Sequence, residues 1–101
     1  MTIRRPVLST EYVRVPIAAR ENGVEVNPTS DAVYLALTTG DEPASGDWHV
    51  GSWETDDSTY YARLLVGPSS LALAAGVWIV WVKVTDSPEI PVRKAGRLVL
   101  Y

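Results

Sequence analysis

Leu73-Ala74-Ala75-Gly76-Val77-Trp78-Ile79-Val80-Trp81-Val82-Lys83-Val84-Thr85-Asp86 is the stretch that decides the fold. From Val77 to Thr85, Trp78, Val80, Val82 and Val84 fall on one face, and Val77, Ile79 and Trp81 on the other. Alternation with period 2 in β-branched and aromatic residues specifies a strand. Both faces begin apolar and one turns polar only at Lys83, so the first half of this strand is expected to be covered on both sides. Gly76 marks a bend before it, and Leu71 to Ala75 reads as a short strand or a corner.

The same period recurs outward in both directions. Thr59 to Val66 is dense in β-formers, ended by Gly67-Pro68-Ser69-Ser70 and preceded by a turn at Asp56-Asp57-Ser58. Trp48 to Glu54 reads as one short strand, with Trp48, Val50 and Ser52 on one side and His49 and Trp53 on the other. Asp31 to Thr38 sets Val33, Leu35 and Leu37 against Ala32, Tyr34 and Ala36, the pattern of a central strand. Tyr12 to Ile17 points Val13, Val15 and Ile17 one way and Arg14 the other, and Pro16 marks it as an edge strand. Asn22-Gly23 makes a turn before a short extension at Val24 and Val26. Thr39 to Asp47 is a loop by composition, and Asp86-Ser87-Pro88-Glu89 a turn. The last strand, Val92 to Tyr101, places Lys94, Gly96, Leu98 and Leu100 against Arg93, Ala95, Arg97, Val99 and Tyr101. About seven short strands separated by regular turn signals predict an all-β, antiparallel sandwich of immunoglobulin type over residues 11–101. Residues 1–10 read as a short extended N-terminal arm.

A chain of 101 residues is sized for one domain, burying roughly two thirds of its unfolded surface. Hydrophobic residues at 47% and charged ones at 21% exclude a disordered tail. The absence of Cys excludes disulfide scaffolds, thiol nucleophiles and cysteine-held zinc or iron–sulfur sites. Leu71 to Val82, the longest apolar run, falls well short of the ~20 residues of a membrane helix, and no signal peptide is evident behind Met1-Thr2-Ile3-Arg4. Asn27-Pro28-Thr29 carries Pro where a glycosylation acceptor cannot. The reading is a soluble protein made in a cytoplasm.

The corner Leu73 to Trp78 and the strand after it resemble the corner and strand common to immunoglobulin-like and fibronectin-like domains. There a Gly permits the turn between sheets and an aromatic plugs the corner. Trp78 stands where Tyr is commoner, so the hydroxyl bond of a tyrosine corner is not available. Over nearly its whole length the chain also resembles small structural proteins from the head and head-to-tail gene cluster of tailed bacteriophages of actinobacteria. That resemblance rests on the Met-Thr-Ile-Arg start, the strand Asp31 to Thr38 with its acidic Gly-rich loop, the Trp48 and Trp53 pair, and Ala95-Gly96-Arg97-Leu98. It implies a non-enzymatic virion part, present in many copies, at the head-to-tail connection or as a capsid decoration protein, with copies of itself and other virion proteins as partners.

The charges are segregated. Nine acids and no Lys or Arg lie between Glu21 and Ala62, with a net +3 on either side and −3 in total. Such a layout suits docking against neighbours of opposite sign, and it equally describes solvated loops. At a sequence pI near 5.0, nucleic acid is not expected as the main partner. Arg4 and Arg5 on the arm, the cluster Arg93, Lys94 and Arg97, and the rings Trp48, Trp53 and Trp81 are the candidate interaction residues. The four Trp also raise a free-standing carbohydrate- or protein-binding module, although in a chain without Phe they are needed to fill the core.

No catalytic residue and no cofactor is predicted. His49, beside Asp47, lies on the face opposite Ser52, and no Ser sits in a nucleophile elbow. Asp41, Glu42, Asp47, Asp56 and Asp57 could offer oxygens to Ca²⁺ if their loops met, but they follow no calcium-loop spacing.

Overall fold

A computed structural model of the chain describes residues 1–85 and 90–101, with Arg20 and Glu21 described in the backbone alone. The described residues form ten strands: β1 (Thr2–Arg5), β2 (Glu11–Ile17), β3 (Ala19–Glu21), β4 (Val24–Val26), β5 (Ala32–Thr38), β6 (His49–Val50), β7 (Ser52–Asp56), β8 (Thr59–Val66), β9 (Gly76–Thr85) and β10 (Val92–Leu100). A five-stranded sheet runs β1-β10-β9-β5-β6 and a three-stranded sheet runs β2-β8-β7, while β3 and β4 form a separate hairpin. The two sheets stack in a sandwich-like arrangement. The 21 Å short axis fits two layers about 10 Å apart with side chains outside them.

The core lies between the sheets and follows the alternation of the sequence. β5, β9 and β10 turn Val33, Leu35, Val80, Val82, Leu98 and Leu100 inward, against Val13 and Val15 of β2 and Ala62 and Val66 of β8. Leu35, Leu98 and Val80 are fully buried. β2 is an edge strand, as Pro16 requires, and β5 is held between β9 and β6. Asn22 and Gly23 turn the β3–β4 hairpin with both residues at positive φ, and Asp57 and Ser58 do the same between β7 and β8.

Leu71 to Ala75 is the corner rather than a strand. Val66 and Leu71 make one isolated bridge, and Leu71 and Leu73 pack on the core. The Trp78 indole N–H donates to the Ala74 carbonyl at 3.0 Å.

The structure departs from the sequence reading in several places. Ten strands replace the expected seven or so, partly because Trp48 to Glu54 is two strands in different sheets. The break is at Gly51, whose N–H donates to the Val33 carbonyl at 2.9 Å. A Cβ there would stand 2.6 Å from Leu35 Cδ1 and 3.1 Å from the Arg63 carbonyl, so the crossing between sheets needs a residue without a side chain. Val50 and Ser52 both point outward as alternation requires, but on opposite sides of the molecule.

Residues 1–10, expected as an arm with little to pack, contribute β1. It pairs in parallel with β10, Ile3 beside Leu98, and Ile3 and Val7 pack against the core. The unsatisfied edge of β10 and two apolar side chains are reason enough for the segment to join the sheet.

In β10 the register shifts between Lys94 and Gly96, so Lys94 pairs with Trp81 and Arg97 with Ile79. This bulge brings Lys94 and Arg97 to the same face, where simple alternation had separated them. The expected turn at residues 86–89 lies outside the described residues.

Candidate functional site

The first half of β9 is covered on one side only. Its core face holds Trp78 and Val80, while Val77, Ile79 and Trp81 point away from the other sheet. Register extends this outward face across five strands. Val99 and Arg97 lie beside Val77 and Ile79, Lys94 beside Trp81, and Ala36 and Tyr34 of β5 beside Trp81 and Lys83. Val50 of β6 continues it at one edge, opposite Tyr34, and Arg4 of β1 at the other, opposite Val99. Val50 is 77% exposed, Val77 52% and Val92 41%. Among the described residues, no second sheet covers this apolar, aromatic face, within which Ala36 is fully buried while Val50, Val77 and Val92 stand open, and it is the main unexplained surface of the fold.

Polar contacts hold the rings in this face. Trp81 Nε1 donates to Thr38 Oγ1 at 3.1 Å, and the Thr38 hydroxyl donates to the Asp41 carbonyl at 2.7 Å. The Lys83 ammonium lies 4.6 Å from the centre of the Trp48 ring and 4.9 Å from that of Tyr34. Two such contacts pin the lysine flat against the sheet and fix both rings in turn. Asp47 closes the single 3₁₀ turn Ser45–Asp47 before Trp48, its Oδ2 accepting the Ala44 N–H at 2.8 Å.

Two shallow depressions mark the face. One, of ≈ 340 Å³, is lined by Glu42, Pro43, Trp48, Trp81 and Val92. The other, of ≈ 460 Å³, is lined by Met1, Thr2, Ile79, Lys94, Gly96 and Arg97. The first carries an acid and the second two bases.

The outer face of the three-stranded sheet differs in kind. Glu54 bridges Arg14 at 2.7 Å and Arg63 at 3.1 Å, and the Arg63 guanidinium stacks 4.2 Å from the Tyr12 ring centre. Ser52 Oγ accepts from Arg63 Nε at 3.0 Å. Its charges are satisfied among themselves, which suits a solvated face.

The residues expected to make contacts divide accordingly. Trp48, Trp81, Lys94, Arg97 and Arg4 share the open face. Trp53 leaves the set: it packs against the core and its Nε1 donates to the Asp31 carbonyl at 2.8 Å. Arg5 is engaged within the fold, its Nε 3.5 Å from Glu11 Oε2. Arg93 is exposed but borders a different cleft, with Val15, Pro16 and Ile17 at the end of the sandwich. Tyr34, Ile79, Val77 and Lys83 were not singled out from the sequence. For Val77 and Ile79 the signal was the doubly apolar start of β9, which reads the same whether a second layer or a partner covers it; Tyr34 and Lys83 join them through the β5–β9 register.

His49 is half-buried on β6, in register with Leu35. Among the described residues, no three His, Asp or Glu side chains gather as a metal ion would require. Also among the described residues, no helix is long and apolar enough to cross a membrane.

Fold and surface together define an all-β, sandwich-like protein with one open sheet face. Comparison with protein-family models, with curated proteins and with solved structures returns no match.

Proposed function

We propose that the chain is a non-enzymatic structural component of a tailed-phage virion, present in many copies and seated at the head-to-tail connection. It would join its neighbours through the open face of the five-stranded sheet. The observation that carries the docking role is that face: Trp48, Trp81 and Tyr34 held in place by hydrogen bonding and by Lys83, among exposed valines and with bases along one edge. Rigid aromatic anchors within a polar rim are the usual source of binding energy between proteins. The virion setting is supported by the resemblance carried by the N-terminal residues, the β5 strand with its acidic loop, and Ala95 to Leu98.

An immunoglobulin-like topology is part of the same reading. A three-stranded sheet β2-β8-β7 facing β10-β9-β5-β6, with β1 in parallel on β10 and an aromatic bonded back across the corner, supports it. A non-catalytic role is supported by the lone imidazole, half-buried on a two-residue strand.

Mass spectrometry and labelled electron microscopy of purified particles test the setting. The chain is expected in stoichiometric amount at the neck. Labelling over the capsid would make it a decoration protein, and absence from the particles would sink the virion role.

A sugar-binding module is the second reading, favoured by the cleft between Trp48 and Trp81. Quenching of Trp fluorescence on titration with oligosaccharides would support it. Lys83, seated over the Trp48 ring, weighs against it by occupying a stacking surface.

A further inference from the structure

We infer that the partner on the open face is a second copy of this chain, joined face to face about a two-fold axis. The inference rests on the docking role proposed above and names its occupant.

A two-fold interface uses the same patch on both copies, so the patch must contain its own complement. The open face does. Its two depressions lie on either side of the register pair Trp81–Lys94, one bearing Glu42 and the other Lys94 and Arg97. Rotation about an axis between them sets Glu42 of each copy against the two bases of the other. Among the described residues, none of these three side chains makes an ion pair within the chain, in contrast to the Arg14–Glu54–Arg63 bridge on the opposite face. Each depression is also partly apolar, with Ile79, half-buried, lining one and Val92, exposed, lining the other, and both supply surface that the two copies gain by covering. A partner of one sign throughout, such as a nucleic acid, would meet either the acid or the bases unfavourably.

The size of the face sets the strength. Five strands spaced ~4.8 Å apart, with β9 about 33 Å long, offer at most about 600 Å² in projection. That is the lower edge of what each partner gives to a specific interface, roughly 600 to 1,000 Å². A face at that edge suits a reversible dimer rather than an obligate one, whose interfaces are larger.

Sedimentation equilibrium of the full chain, from low micromolar to several hundred micromolar, is the test. A single chain passing to two chains and no further is expected. Glu42→Lys and Lys94→Glu should each weaken the dimer about tenfold, because like charges then meet twice. An equimolar mixture of the two variants should restore it, since each reversed charge faces a reversed partner. Melting curves matching the parent establish that both variants fold, and Glu42→Ala with Lys94→Ala provide a neutral pair, each expected to weaken association less. A chain that stays single at the highest concentration, a mixture no stronger than its components, or growth beyond two chains would overturn the two-fold pair. The two readings fail separately. A dimer in solution missing from particles removes the virion role alone, whereas a chain found in particles yet single in solution removes the self-pairing alone.

Discussion

The indole nitrogen of Trp78 donates to the carbonyl oxygen of Ala74 at 3.0 Å, tying the start of β9 to the corner it has just left. The ring belongs to the layer that packs against the core, so one side chain both fills the corner and satisfies a loop carbonyl. Trp78→Phe keeps an aromatic but removes the donor and part of the volume. A loss of about 1–2 kcal/mol is expected, from one hydrogen bond and modest underpacking. In a chain of this size that lowers the melting temperature by roughly 4–16 °C, read by circular dichroism on heating. An unchanged melting temperature would show that the bond does not hold the corner.

Gly51→Ala tests the crossing between the sheets. The added methyl would stand 2.6 Å from Cδ1 of the fully buried Leu35 and 3.1 Å from the Arg63 carbonyl, which is backbone and cannot swing aside. Overpacking of this kind costs about 1–3 kcal/mol. The loss should appear in urea unfolding as a lower midpoint at unchanged slope.

These two sites show what the chain discloses of its own fold. The corner, the alternation of β5, β8 and β9, the edge character of β2 and the turn at Asn22-Gly23 all follow from local rules, because each depends on neighbours in sequence. Gly51 was visible but its role was not. A glycine inside an alternating run signals a bulge, a bend or a close approach, and choosing between them requires knowing that Leu35 lies above it. The bulge before Gly96 was hidden for the same reason, and with it the meeting of Lys94 and Arg97. Of the candidate site, Trp48, Trp81 and the β10 bases were legible as residues. Their assembly on one uncovered face was not, because an apolar stripe does not say what covers it.

Removing residues 1–10 should destabilise the domain. Ile3 of β1 and Val7 just beyond it reach the core, and the Val7 N–H donates to the Tyr101 carbonyl, the Tyr101 N–H to the Arg5 carbonyl and the Arg97 N–H to the Met1 carbonyl. With about 0.5–1.5 kcal/mol net for each bond, and burial in addition, a loss of about 3 kcal/mol or more is expected. The bared edge of β10 should also raise aggregation, seen by light scattering. If the truncated chain melts with the parent, β1 contributes nothing to the fold and the segment is an arm after all.

Glu54→Ala probes the opposite face. Arg14 and Arg63 are direct register partners on β2 and β8, a placement that sets like charges side by side. Glu54 lies between them, and its removal leaves two guanidinium groups opposed. A loss of about 1 kcal/mol at low salt is expected, shrinking as ionic strength rises and the screening length falls below ~10 Å. A loss indifferent to salt would assign Glu54 a packing role instead.

Val77→Lys separates the fold from its use. Val77 is 52% exposed and points away from the core, in register with Val99, so its replacement removes no core contact. Stability should stay within about 0.5 kcal/mol of the parent, as for ordinary surface changes. Association is another matter, because a partner must then bury an ammonium beside Ile79 and Val99 at the apolar end of the face. Ser30→Lys, exposed in the turn before β5, adds the same charge away from the face and is the control. Self-association by sedimentation, and incorporation into particles by mass spectrometry, should fall at least tenfold for Val77→Lys and remain unchanged for Ser30→Lys. Equal behaviour of the two variants would mean that the open face of the five-stranded sheet is not where this protein meets its neighbours.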